Sequence, residues 1–214
     1  MKSVLPILIL AILPYACYAQ ESTNETRDNF GTWTDIIFRK DINNWHIGGY
    51  IEHCSINKSD GKGITNDELL ICPIVGYNPL KWLRFQFQLD FQYCFNRGFN
   101  LRYVPEATLH FKASDFRFSF RSRLQLTHQI SNGDLSPIMR NRLKVEYLIP
   151  NSPASLHVAA EPYWLESITK ARYYAGMGFQ VHKNVSITAE YIRYEYYTQT
   201  TDQNVVSFAL YVRI

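Results

Sequence analysis

The stretch Leu83–Phe95, LRFQFQLDFQYCF, decides the fold of this chain. From Phe85 to Phe95 every second residue is aromatic or leucine, and the residues between Arg84 and Gln92 that interrupt them are polar. Successive side chains of a β-strand point to opposite faces, so this period of two is the pattern of a strand. The stretch therefore predicts a β-strand with one apolar face and one polar face.

The same alternation returns in four further segments, and no helical periodicity of useful length accompanies it. These segments are Phe116–Gln129, 138–149, Ala171–Val181 and Asn204–Ile214. After Gln20 no apolar run reaches the 18 residues that a membrane helix needs. The sequence therefore predicts an all-β chain.

Two classes of connector alternate between the predicted strands. The tight ones, rich in Asn, Asp, Pro and Ser, are 41–44, 78–81, 113–115, 150–153 and 183–184. The longer ones are 57–67, 96–102, 131–136, 166–170 and 199–203. Short turns at one end and longer loops at the other are typical of outer-membrane barrels, and strands of about 10–14 residues match a tilted span of the bilayer. We predict one domain, residues 30–214, that forms a single antiparallel up-and-down β-barrel of the transmembrane type.

The number of strands is a difficulty for this prediction. The connectors imply about eleven strands, whereas bacterial single-chain barrels normally have an even number. Either residues 20–30 add a strand or thread the lumen, or one segment is miscounted. We therefore predict 10–12 strands and prefer 12.

The N-terminus has the pattern of a secretory signal peptide. Lys2 precedes an apolar stretch at 4–13, and Cys17 and Ala19 place small residues before a cleavage site at Gln20. We predict a signal peptide at 1–19, a flexible leader at 20–29 and export to the outer membrane, with outer-membrane lipid and the barrel-assembly machinery as partners. The alternatives are an N-terminal anchor, for which the apolar run is short, and lipidation of Cys17, before which the usual aliphatic residue is missing.

Charge decides which face of the barrel meets lipid. The net charge of +3 is too small to indicate nucleic-acid binding. An arginine that faces lipid at the bilayer midplane costs roughly 2–4 kcal/mol, so we expect the aromatic face to point outward and the charged face inward. The predicted lumen lattice consists of Arg84, Asp90, Arg117, Arg121, Arg123, Arg140, Arg142, Lys144, Glu146, Glu161, Arg172 and Glu190.

Such a lattice has two interpretations. It fills and rigidifies a narrow lumen, as side chains do in small barrels, or it lines a small-solute pore that prefers anions or binds a ligand whose identity stays open. A soluble exported lipid-binding barrel is a further alternative, and it would require the aromatic face inside and Arg121 and Arg142 outside.

The cysteines and histidines indicate no metal site. Cys54, Cys72 and Cys94 remain after signal removal, and they match no metal spacing. Export permits one disulfide, and the sequence leaves its pairing open. We predict no metal and no cofactor.

The pattern as a whole resembles the exported barrel proteins of domain-of-unknown-function family 2490. The resemblance is carried by 30–34 (FGTWT), 121–124 (RSRL), 140–144 (RNRLK) and 161–163 (EPY). It covers nearly the whole mature chain and implies an outer-membrane barrel without an established reaction. The loop at 57–67 and the terminal Ile214, where an aromatic residue is common, are departures.

One segment, 128–133 (HQISNG), resembles the His-x-Ser-Asn-Gly segment of outer-membrane phospholipase A. A serine nucleophile and its histidine base must reach hydrogen-bonding distance, roughly 2.6–3.2 Å. Here His128 and Ser131 are three apart, which on a strand puts them on opposite faces. We predict that the protein is not an enzyme and keep a lipid hydrolase using His128 and Ser131 as the alternative.

Overall fold

A computed structural model describes residues 29–57, 64–197 and 202–214 of the 214-residue chain. The predicted signal peptide, and the predicted leader up to residue 28, lie outside the described residues. The first strand begins at Asn29. Within the described ranges, no helix is long and apolar enough to cross a bilayer.

The described chain forms eleven strands. They are β1 (Asn29–Ile42), β2 (Trp45–Asn57), β3 (Ile64–Leu80), β4 (Leu83–Cys94), β5 (Gly98–Ala113), β6 (Phe116–Gln129), β7 (Leu135–Leu148), β8 (Ala154–Trp164), β9 (Ile168–His182), β10 (Val185–Tyr196) and β11 (Gln203–Arg213). Each strand is hydrogen-bonded to its neighbours in chain order, and the sheet closes into one barrel. The predicted all-β barrel is confirmed.

The closure of the barrel departs from a purely antiparallel meander. β1 pairs with β11 in parallel over eleven residue pairs, from Asn29↔Gln203 to Arg39↔Arg213. An odd number of up-and-down strands leaves the first and last strands running in the same direction, so the seam between them has to be parallel. The described residues give eleven strands, within the predicted range but not the preferred 12.

The two ends of the barrel have different connectors. At one end, which we call the turn rim, the hairpins turn at 43–44, 81–82, 114–115, 149–153 and 183–184. Asn43, Ser114 and Asn151 adopt positive φ there, which short polar side chains tolerate in tight turns. At the other end, the loop rim, β5 already begins at Gly98 and β9 at Ile168, so strands occupy most of the predicted loops 96–102 and 166–170.

The alternation of the sequence separates the two faces of the sheet. On the outer face Phe85, Phe87 and Phe91 remain 49%, 42% and 39% exposed, which a soluble core would not allow. On the inner face polar side chains are buried, and a small apolar cluster fills part of the interior of β8–β11. That cluster consists of Ala159, Tyr174, Ile192, Tyr194 and Val205, with Trp33 packed against it.

Candidate functional site

The barrel encloses a cavity of about 520 Å³. Its wall reaches the turn rim at Arg39, Lys183 and Arg213, and it ends toward the loop rim at Trp33 and Arg172. The cavity therefore occupies the half of the lumen that lies nearer the turn rim, which we call the turn-side half.

The wall of this cavity is strongly basic. Ten cationic residues line it: Arg39, Arg84, Arg121, Arg123, Arg140, Arg142, Lys144, Arg172, Lys183 and Arg213. Four acidic residues line it: Asp35, Glu52, Glu106 and Glu190. An excess of one sign of charge on a concave, low-dielectric wall concentrates counter-ions within it. The cavity is therefore suited to small anions.

Glu161 is the centre of the buried ion pairs beside the cavity. It is fully buried, and its carboxylate accepts hydrogen bonds from Arg121 Nη2 at 2.7 Å and Arg140 Nη2 at 3.2 Å. Tyr174 Oη donates a third at 2.6 Å. Three donors satisfy a buried carboxylate, which is the condition for placing a charge out of water. Three strands other than its own are thereby tied to β8.

Glu106 on β5 is a second buried centre. One of its oxygens, Oε2, accepts from Arg123 Nε at 3.0 Å and Nη2 at 2.6 Å, and from Gln88 Nε2 at 3.3 Å. Thr108 Oγ1 donates to the other oxygen at 3.1 Å. Arg123 thus has a carboxylate partner at hydrogen-bonding distance. We call the Glu106 and Glu161 pairs together the ion-pair layer.

Other cations of the turn-side half are poorly neutralised. Arg142 Nη2 lies 3.9 Å from Glu190 Oε1, an oxygen that already contacts His157 Nε2 at 2.6 Å. Among the described residues, the hydrogen-bond partner of the Arg84 side chain is the amide oxygen of Asn78, which accepts from Nε at 3.2 Å. These distances leave the Arg142 and Arg84 guanidinium groups with hydrogen-bonding capacity to spare.

Above the cavity, toward the loop rim, cations are held by aromatic rings. The Arg172 guanidinium lies over the rings of Tyr194, Trp33 and Tyr163, at 4.3, 4.9 and 5.0 Å from their centroids. Lys170 Nζ lies 4.6 Å from the Tyr163 centroid. We call this set, with Tyr196 beside Tyr194, the aromatic layer; such contacts fall within the range of cation–π attraction.

The predicted lattice residues divide among several environments. Arg121, Arg140 and Glu161 meet in the ion-pair layer; Arg123 joins Glu106; and Arg84, Arg142, Lys144, Arg172 and Glu190 line the cavity. Asp90 instead pairs with Arg102 Nε at 3.0 Å. Arg117 and Glu146 form a pair of 3.6 Å at the turn rim, on a separate cavity of about 420 Å³.

Glu106, Arg102 and His157 are not among the residues that the sequence predicts for the lumen. A usable signal is present for the first two, because β5 alternates polar and apolar residues from Asn100 to Lys112, except at Val104. The connector pattern predicts a loop at 96–102, over the start of this strand, and Pro105 interrupts the alternation. His157 carries no comparable signal, since its contact with Glu190 joins β8 to β10 across the intervening β9.

Cys54, Cys72 and Cys94 are free and buried thiols. Within the residues that the structure describes, no three or more His, Cys, Asp or Glu side chains are grouped so as to hold a metal ion.

The residues named for the alternative functions lie apart from one another or inside the lumen. His128 is the penultimate residue of β6, on the outer face, Ser131 lies in the following turn, and the described residues show no hydrogen bond between them. Arg121 and Arg142 line the lumen, whereas a soluble lipid-binding barrel would carry them outside.

Comparison with known proteins agrees with this architecture. Residues 30–205 match the family described as "Protein of unknown function (DUF2490)". A solved structure, the NanC porin in a rhombohedral crystal form, superposes with a TM-score of 0.54 at 11% identity, covering 87% of this chain and 98% of the porin. A search of curated proteins finds no significant match. The chain has a porin-like barrel fold and belongs to the DUF2490 family.

Proposed function

We propose that this protein is an outer-membrane barrel through which small anionic solutes pass by way of a basic lumen. The observation that carries the proposal is the wall of the 520 Å³ cavity, on which ten cations face four carboxylates. A charged lumen inside an apolar outer surface is the arrangement of membrane pores. The proposal assigns the barrel no catalytic step.

The outer face supports the membrane location. Large apolar side chains stay exposed around the barrel, among them Phe38 on β1, Phe111 on β5 and Phe179 on β9. Exposed apolar surface of this extent marks contact with lipid or with another protein. We propose outer-membrane lipid as its surroundings, reached after export and insertion by the barrel-assembly machinery.

The test is conductance of the refolded protein in planar bilayers under a KCl gradient. We expect a steady current whose reversal potential has the sign of anion preference. Arg121→Glu should shift the reversal potential toward cations, because it reverses a charge on the cavity wall. Arg117→Glu, at the turn rim and outside that wall, is the matched control and should leave the potential unchanged. A wild-type preference for cations would overturn the proposal.

A second candidate function, a structural barrel with a filled lumen, is favoured by the aromatic layer. The Arg172 guanidinium lies over the rings of Trp33, Tyr163 and Tyr194 in the loop-side half of the lumen, and the Trp33 and Tyr194 rings meet edge to face. If the wild-type barrel carries no current under any gradient while folded, the filled barrel replaces the pore as the conclusion.

A further inference from the structure

In two places an arginine of β6 lies directly opposite an arginine of β7. Arg121 of β6 pairs in register with Arg142 of β7, and Arg123 pairs with Arg140 one inner-facing position further along. Like charges directly opposite on a sheet repel each other and lower stability. Something negative has to compensate each of these pairs.

Carboxylates of the chain itself compensate the Arg123–Arg140 pair. Arg123 binds Glu106 at 2.6 Å, and Arg140 binds Glu161 at 3.2 Å. Both arginines are about nine-tenths buried, so these ion pairs lie in a low-dielectric environment that strengthens them.

In the Arg121–Arg142 pair the compensation is unequal. Arg121 binds Glu161 at 2.7 Å and has Glu106 at 3.9 Å, whereas the nearest described carboxylate to Arg142 is Glu190, at 3.9 Å. Lys144, four residues before the turn-side end of β7 and on the same face, adds a further cation about 7 Å along the strand from Arg142. Within the described residues the Lys144 side chain has no hydrogen bond and no carboxylate within 4.0 Å.

The local charges give the valence of the missing partner. Five cations, Arg121, Arg123, Arg140, Arg142 and Lys144, carry five positive charges, against the three negative charges of Glu106, Glu161 and Glu190. Two positive charges therefore remain on a partly buried wall, where uncompensated charge is costly. A monovalent ion such as chloride balances half of this excess, and a divalent anion balances all of it.

The geometry suits an oxyanion. A guanidinium presents planar, paired N–H donors that match carboxylate and phosphate oxygens, and an ammonium adds donors that rotate. The Arg142 guanidinium lies over the Tyr174 ring, 4.3 Å from its centroid, and this contact restrains its position on the cavity wall. Arg121, Arg142 and Lys144 all line the cavity that opens at the turn rim, so a small anion has a path to them.

We propose that Arg121, Arg142 and Lys144 form a binding site for a small divalent oxyanion, a phosphate or a dicarboxylate, that enters from the turn rim. The inference rests on the proposed function, since it names the solute class that the basic lumen receives.

The experiment is titration calorimetry on the refolded barrel in detergent, with inorganic phosphate and succinate as separate probes and KCl at equal ionic strength as the reference. We expect saturable binding of one equivalent of at least one probe, and the stronger probe distinguishes phosphate from dicarboxylate. Arg142→Gln and Lys144→Gln should each weaken that binding at least tenfold. Arg117→Gln is the matched control and should not change it.

Melting temperatures distinguish a binding role of Arg142 from a purely structural one. Because Arg142→Gln relieves the repulsion with Arg121, the variant without phosphate should melt no lower than wild type, and it should lose the rise in Tm that the bound anion produces. Heat released equally by KCl, or equal weakening by Arg117→Gln, would overturn the site.

Conductance of the same preparation separates the two proposals. An anion-selective current without saturable oxyanion binding overturns the site and leaves the pore. Saturable binding in a barrel that carries no current overturns the pore and supports the site.

Discussion

The turn-side and loop-side halves of the lumen hold similar cations in opposite ways. In the loop-side half Arg172 is stacked among three aromatic rings, and Arg102 pairs with Asp90 at 3.0 Å and Glu68 at 3.6 Å. In the turn-side half Arg142 and Lys144 face a cavity without a carboxylate at hydrogen-bonding distance.

The difference teaches that the ratio of cations to their partners decides where the lumen is open. Where each cation has a carboxylate at hydrogen-bonding distance or several aromatic rings around it, side chains fill the space between strands. Where cations outnumber carboxylates, repulsion and hydration keep the side chains apart, and a cavity remains. The ion-pair layer around Glu161 and Glu106 is the boundary between these two regimes.

The largest expected effect comes from that boundary. Glu161→Gln leaves Arg121 and Arg140 without their shared carboxylate in a buried place, and removing one partner of a buried pair costs about 3–5 kcal/mol. The free energy of unfolding in urea, measured in detergent micelles, checks this. Glu146→Gln, whose partner Arg117 is 56% exposed at the turn rim, is the control and should cost less than about 1 kcal/mol. Equal losses for the two variants would show that the ion-pair layer is not a boundary between the two halves of the lumen.

The next largest effect compares an arginine of each half. We expect its replacement to lower the free energy of unfolding in the loop-side half but not in the turn-side half. Arg172→Met keeps the apolar stem and loses three cation–π contacts, so we expect a loss of about 1–3 kcal/mol in the free energy of unfolding. Arg142→Met loses one such contact and relieves the repulsion with Arg121, so its stability should stay within about 1 kcal/mol of wild type or increase. The same urea titration compares them. A larger loss for Arg142→Met would contradict the distinction between the halves.

The smallest effect is expected at the turn rim. Arg39 Nη2 contacts Asp41 Oδ1 at 2.6 Å, and their side chains are 30% and 40% exposed. An exposed ion pair contributes about 0–1 kcal/mol and is screened by salt. Arg39→Gln should therefore cost less than about 1 kcal/mol at low ionic strength and nothing measurable in concentrated KCl. A cost that persists in high salt would show that the rim is less hydrated than the comparison assumes.

The strands of this fold are readable from sequence because their chemistry alternates. Phe85 to Phe95 carry large apolar side chains at every second position, and Phe116 to Leu126 do so except at Ser122. The structure places β4 and β6 over these stretches. β5 has the same alternation, but Pro105 faces outward within it, and the ladder to β6 skips Val104 and Pro105. Proline removes a ladder hydrogen bond, so it weakens the strand pattern in the same place where it interrupts the pairing.

The division of the lumen was not predictable in the same way. Alternation assigns Arg142 and Arg172 to the inner face. It does not give their positions along the barrel axis, because strand tilt and stagger determine these. In register, Arg121 pairs with Arg142, and Glu161 pairs with Arg172, so one ladder row climbs from the cavity into the aromatic layer. Only the closed sheet shows that Arg172 meets Trp33, a residue 139 positions earlier on β1.

The parallel seam between β1 and β11 has a consequence for rearranging the chain. In an even-stranded meander the first and last strands bring their free ends to the same rim, and a short linker joins them. Here Asn29 lies at the loop rim and Arg213 at the turn rim, about 33 Å apart along the seam at the rise of a strand. Circular permutation, which most domains tolerate because their termini are close, would need a linker that crosses the full height of the barrel through its lumen.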